Sequence, residues 1–237
     1  MRAVKNLTPL EEKALRLAVT LKEAADLPWN SIGISGSIMA GLTTPASDID
    51  PLVYGIENSQ RAYTALQKLR ETANSGFKPY SREELKTLYS FRSKDTQMDF
   101  KDFLTVESRK AFQGMFEGTD YFIRFVKDWN EITEDYGDVF FENSGYCRIA
   151  GTVADSQNAL FTPCSYGLSK VEVLEGPNLA PIEEVVSFRG RFCQQAVNGE
   201  RVEAQGKIEL VTKKKNGGKH YRLILGNKPQ DYMVLTY

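Results

Sequence analysis

The sequence predicts an α/β (α+β) N-terminal domain, a mixed sheet with flanking helices, followed by an all-β C-terminal domain built as a small barrel. Three observations carry this expectation. Up to about residue 140, apolar residues recur at helical spacing behind capping signals, with short β-favouring runs between them. From Tyr146 onward the texture changes to short β runs separated by turn residues. A length of 237 residues accommodates one large or two ordinary domains, and the change of texture sets the expected division at 1–140 and 141–237.

Each element follows from its local pattern. Thr8-Pro9-Leu10-Glu11 is a capping box with proline at the first helical position, so a helix starts there and buries Leu10, Ala14, Leu17, Ala18 and Leu21 before Pro28. The short apolar run Ile32–Ile34 leads into small residues, and a short helix is expected over 37–42, followed by a polar loop at 43–47. Leu52-Val53-Tyr54 favours a strand. Asn58 or Ser59 is the expected cap of a helix with Ala62, Leu66, Leu69 and Ala73 inward, ended by Asn74-Ser75-Gly76. Ser81-Arg82-Glu83-Glu84 opens another helix, and Thr96 to Asp99 opens one that carries Phe100, Phe103, Leu104, Ala111 and Met115 as far as Gly118. Residues 120–127 read as one strand with Tyr121, Ile123 and Phe125 on an apolar face and Asp120, Phe122 and Arg124 on a mixed one. Further strands are expected over 146–153, 169–174, 185–193, 201–212 and 220–225, with Asn216-Gly217-Gly218 as a hairpin turn.

Composition narrows the function classes. The chain is 41% hydrophobic and 26% charged with a formal net charge of -1, so it is neither disordered nor globally basic. Any nucleic-acid partner must be met by a local patch. The N-terminal residues 1–6 lack the apolar core of a signal peptide, and no apolar run approaches a membrane span, so a cytoplasmic protein without a membrane partner is expected. Cys147, Cys164 and Cys193 are odd in number and widely spaced, which suits reduced, partly buried thiols. The single His220 disfavours a histidine-rich metal site and a histidine-based nucleophile triad.

The stretch 31–55 holds the constellation with an evident chemical purpose. Gly36 allows a ligand close to the backbone, and Ser37 follows it. After a gap of ten residues comes Asp48-Ile49-Asp50, whose alternation puts both carboxylates on one face of an incipient strand. Two carboxylates about 4 Å apart repel by roughly 4 kcal/mol at an effective dielectric near 20, so they call for a shared proton or cation. Oxygen ligands of this kind favour Mg²⁺, commonly completed by substrate phosphates.

This pattern of Gly36, Ser37, Asp48 and Asp50 resembles the nucleotidyltransferase superfamily with the DNA polymerase beta-like fold. The resemblance is specific but short, and Pro51 departs from it, where an aliphatic residue is more usual. It implies that Gly36 and Ser37 hold the triphosphate of an NTP, that Asp48 and Asp50 carry Mg²⁺, two ions with Mn²⁺ as a substitute, and that a later carboxylate completes the site. Asp120 is chosen for that third place because it lies on the mixed face of its strand, with Arg124 as a charge partner for the triphosphate; Asp99 is the other candidate, and a helix cap also accounts for it. The expected reaction is Mg²⁺-dependent transfer of a nucleoside monophosphate from an NTP to an acceptor hydroxyl with release of pyrophosphate. The alternative is a non-catalytic platform with a nucleic-acid-binding β domain.

The C-terminal half looks like an oligonucleotide-binding (OB-type) barrel, although no motif fixes that. Arg189, Arg191, Lys213, Lys214, Lys215, Lys219 and Arg222, interleaved with Phe188, Phe192 and Tyr221, are the candidate nucleic-acid contacts. A lysine run at a hairpin tip is equally a solvated turn, and the aromatic residues equally fill an interior.

Overall fold

The computed structural model describes residues 6–236, so most of the N-terminal stretch read for a leader lies outside the described residues. No helix among the described residues is long and apolar enough to cross a membrane. Contacts divide the chain into two compact units. One comprises the segment up to Ser81 with Lys110–Ile132, the other Arg82–Arg109 with the segment from Thr133 onward.

In the first unit, helix α1 (Pro9–Ala25) starts on the expected capping box: the Glu11 amide donates to Thr8 Oγ1 at 3.4 Å and the Glu11 carboxylate accepts from the Thr8 amide at 2.7 Å. Leu17 and Leu21 are fully buried, which contributes roughly 1.5–3 kcal/mol for each side chain. Strand β1 (Ile32–Ile34) leads into the short helix α2 (Gly36–Ala40), and β2 (Pro51–Tyr54) pairs antiparallel with β1. Pro51 is the first residue of β2, where the lack of an N–H costs no ladder bond.

Helix α3 (Ile56–Leu69) corrects the expected cap. It starts before Asn58 and Ser59, because the Ile56 amide donates at 3.0 Å to the carboxylate of Glu131, 75 residues away, a partner that no local pattern reveals. The Asn58 amide and Ser59 hydroxyl instead donate back to the carbonyls of Tyr54 and Val53.

A second three-stranded sheet runs β3 (Phe77–Lys78), β4 (Gln113–Phe116) and β5 (Thr119–Phe122), antiparallel throughout. Met115 lies in β4 and not in a helix, and Gly118 serves the β4–β5 turn with φ +77°. The expected strand over 120–127 is divided. β5 pairs with β4, whereas β6 (Arg124–Val126) pairs parallel with β2, and the two meet at Ile123, whose amide donates to the Phe112 carbonyl at 2.8 Å. The alternation nevertheless persists: Tyr121, Ile123 and Phe125 are each about 1% exposed, while Asp120 and Arg124 face solvent.

In the second unit, helices α4 (Arg82–Arg92) and α5 (Phe100–Glu107) precede strands β7 (Val139–Asp155), β8 (Cys164–Glu175), β9 (Ile182–Ser187), β10 (Arg201–Lys213), β11 (Lys219–Leu225) and β12 (Tyr232–Thr236). They form one six-stranded sheet in the order β11-β9-β8-β7-β10-β12, with an additional β10–β11 pairing. For the small OB-type barrel expected of this half, the structure has a six-stranded sheet that branches on β10, in which β7, β8, β9, β11 and β10 pair in succession and β10 pairs back to β7. The branch lies on β10, which pairs with β7 along one edge while its other edge is shared: residues 201–205 take β12 and residues 207–212 take β11. Gly206 sits at the junction, where a β-carbon would lie 2.4 Å from the Ile224 carbonyl oxygen. Cys147, Cys164 and Cys193 are buried in this unit.

Candidate functional site

The approach of β1 to β2 builds the site. Ile49 is fully buried and bridges in parallel to Tyr121, so the aspartates flanking it turn to the opposite face. Between the two strands the chain makes a close crossing, with the Ser35 amide and hydroxyl both donating to the Asp50 carbonyl at 2.8 and 3.0 Å. Gly36 then adopts φ +63°, directly against the Asp50 carboxylate.

Electrostatically, Asp48, Asp50 and Arg124 form one group. Burial pushes the Asp50 carboxyl above the ordinary range, the charge of Asp48 pushes it further, and the Arg124 guanidinium partly offsets both. That guanidinium also lies 5.4 Å from the centre of the Phe122 ring. The Ser37 hydroxyl oxygen is buried and has no hydrogen-bond partner among the described residues. Leaving such a group without a partner typically costs about 1–3 kcal/mol.

Asp120 sits beside this group without completing it. Through the Ile49–Tyr121 bridge it is aligned with Asp48, on the same face of adjacent chain segments. Its carboxylate is engaged elsewhere, accepting from the Tyr80 hydroxyl at 2.8 Å. No group of three or more His, Cys, Asp or Glu residues among the described residues is placed to hold a metal ion, which corrects the expectation of a preformed three-carboxylate metal centre. Asp99 is the residue preceding α5, and its side chain makes no capping hydrogen bond.

The candidate nucleic-acid residues do not form one uniform set. Arg191 pairs with Asp95, and Arg189 reaches both Asp95 at 3.4 Å and the Gly226 carbonyl at 3.1 Å. Arg222 pairs with Glu209 at 2.9 Å and lies 3.7 Å from the centre of the Phe141 ring. Lys213, Lys214, Lys215 and Lys219 are exposed around the β10–β11 turn. Phe192 is a core residue at 1% exposure. Sequence reading passed over Phe140, which is 52% exposed and in register with Thr212 of β10 beside that turn. It also passed over Tyr80, because nothing near Lys78-Pro79-Tyr80 announces a partner forty residues on.

No family model matches the chain, and no solved structure matches it. It is 36% identical over 217 residues to the uncharacterized protein MJ1086 of Methanocaldococcus jannaschii, an alignment that covers 92% of this chain. The chain spans 61% of the length of that relative. These findings overturn the resemblance to the nucleotidyltransferase superfamily as a family assignment: no family model supports it, and the matched relative brings no assignment of its own.

Proposed function

We propose that the first unit binds a nucleoside triphosphate around Gly36, Ser37, Asp48, Asp50 and Arg124, and transfers its nucleoside monophosphate to an acceptor hydroxyl. The reading rests on the arrangement of these side chains and not on family membership. The observation that carries it is the Ser37 hydroxyl, buried and without a hydrogen-bond partner among the described residues, next to a glycine packed against one of two like-charged carboxylates.

The residues present fit Mg²⁺, or Mn²⁺, because such a cation is commonly held by one or two carboxylates and completed by substrate phosphates. Asp48 and Asp50 would hold it. Once bound, it would neutralise triphosphate charge and acidify the acceptor hydroxyl. The Ser37 hydroxyl donates to a phosphate oxygen, and Gly36 lets the triphosphate approach the backbone. Arg124 offsets negative charge as it develops. A bond forms between the acceptor oxygen and the α-phosphorus, the bond from that phosphorus to the β-phosphate oxygen breaks, and pyrophosphate leaves. The acceptor proton passes to Asp120 once its carboxylate leaves the Tyr80 hydroxyl and turns to the site. We place the reaction in the cytoplasm, where thiols such as the three buried here stay reduced.

A second reading is favoured by one observation in the other unit. Exposed Phe140 lies in register with Thr212, which pairs in turn with Lys219, beside the lysine-rich turn. An aromatic platform beside clustered cations suits single-stranded nucleic acid.

The test is incubation with each α-labelled nucleoside triphosphate and Mg²⁺, with RNA, DNA, protein and no added acceptor, beside an Asp48→Asn Asp50→Asn control. Label transfer or pyrophosphate release that disappears in the control supports the first reading. Equal signal from both proteins rejects it.

A further inference from the structure

Three carboxylates lie on one face of neighbouring segments, yet they do not act as a group of three. The register explains why. β5 has two edges: one carries the bridge to Ile49 and hence to Asp48 and Asp50, and the other is paired with β4. Tyr80 follows β3, which pairs with the far edge of β4, so Tyr80 approaches Asp120 from the side opposite Asp48. Its hydroxyl donates to Asp120 Oδ1 at 2.8 Å. A carboxylate drawn to that side leans away from the aspartate pair, even though its own backbone is aligned with Asp48 through the hydrogen bond from the Ile49 amide to the Asp120 carbonyl at 2.9 Å.

We propose that Tyr80 is a positioning residue that holds Asp120 back from the Asp48–Asp50 pair, so that a third carboxylate joins the site only when this hydrogen bond opens. The inference rests on the reading of the first unit as a cation-dependent triphosphate site. Asp120 is exposed, so its side chain can turn without repacking the core, whereas its neighbour Tyr121 is buried at 1% exposure, in edge-to-face contact with Phe77 and donating to the Ala111 carbonyl at 3.0 Å. The choice between Tyr80 and the aspartate pair is therefore a matter of side-chain rotation at Asp120.

The sign of the effect separates this role from simple support. If Tyr80 withholds Asp120, Tyr80→Phe strengthens divalent-cation binding. If Tyr80 holds Asp120 in its working position, the same change weakens it. Mn²⁺ titration of the full chain followed by electron paramagnetic resonance, without nucleotide, reads this directly. The expected result is roughly tenfold tighter binding for Tyr80→Phe, the scale of one charge-assisted hydrogen bond at a partly exposed site. The gain should vanish in Tyr80→Phe Asp120→Asn, which retains the aspartate pair. Unchanged or weaker binding by Tyr80→Phe, with wild-type binding that still depends on Asp48, overturns the role of Tyr80 and leaves the triphosphate reading standing. Absence of Mn²⁺ binding in both wild type and Tyr80→Phe overturns both. Matching circular dichroism spectra and melting curves confirm that the variants compared are folded.

Discussion

Asp50 occupies the space that a side chain on Gly36 would need: a β-carbon built there would lie 2.2 Å from Asp50 Oδ2 and 3.1 Å from its carboxyl carbon. The glycine also has φ +63°, where an L side chain is strained irrespective of room. Gly36→Ala should therefore displace the Asp50 carboxylate and cost about 1 kcal/mol in stability. Triphosphate binding, measured by calorimetry, should fall by at least tenfold while the circular dichroism spectrum stays unchanged. Wild-type affinity in this variant would separate Asp50 from ligand binding.

The charge on Asp50 leads to an inverse relation between stability and activity. Burial first and then the negative charge of Asp48 raise its carboxyl above the ordinary range. A carboxyl raised in the folded state contributes stability that is fully present below its unfolded value and is lost as pH rises through the folded value. At neutral pH and without cation the ionised group is thus a net cost. Asp50→Asn should stabilise the cation-free protein by at most about 1 kcal/mol, because the carboxyl is only half-buried, and so raise its melting temperature. It should also abolish label transfer. A lower melting temperature at pH 7, with the wild-type order unchanged near pH 3, would show that the carboxylate stabilises the fold.

Much of this geometry is legible in the chain because it is set by neighbours in sequence. Thr8 and Glu11 close their capping box within one turn, and the buried Ile49 fixes the direction of Asp48 and Asp50 by alternation alone. The features that escaped are all set by distant partners. Glu131 starts α3 two residues before Asn58, β6 leaves the sheet of β5 to pair with β2, and Tyr80 takes the Asp120 carboxylate. The C-terminal sheet shows the same limit. Its strands were visible as β runs, but the branch depends on how Gly206 lets the two halves of one β10 edge take different partners, which periodicity along a single strand does not encode.

In the second unit, stability at low pH should depend on Glu209. Its burial raises the carboxyl, but hydrogen bonds from Lys207 and Arg222, at 2.7 and 2.9 Å, outweigh this and leave it below the ordinary range. A carboxyl lowered in this way contributes stability above its unfolded value, lost as pH falls through the folded one. Arg222→Ala should destabilise this unit by about 2 kcal/mol at pH 7, since it leaves a mostly buried carboxylate with Lys207 alone and removes the cation over Phe141. The gap between variant and wild type should narrow as pH falls below 4. Denaturant melts at pH 7 and pH 3 check it, and a gap independent of pH would assign the loss to packing.

The lysines around the β10–β11 turn provide the test of the nucleic-acid reading. Arg191 and Arg222 are engaged with Asp95 and Glu209, so a phosphate backbone would have to be met mainly by Lys213, Lys214, Lys215 and Lys219, beside exposed Phe140. Each phosphate contact contributes about 0.7 to the slope of log affinity against log salt for a single strand. Replacing Lys213, Lys214 and Lys215 with alanine should therefore reduce that slope by about 2, measured by fluorescence anisotropy with labelled oligonucleotides at several salt concentrations. Phe140→Ala should act differently, weakening binding by roughly 1–3 kcal/mol at every salt concentration and leaving the slope in place, because stacking releases no counterions. If both variants change affinity without this division between slope and intercept, the aromatic and basic residues are not acting as one strand-binding surface.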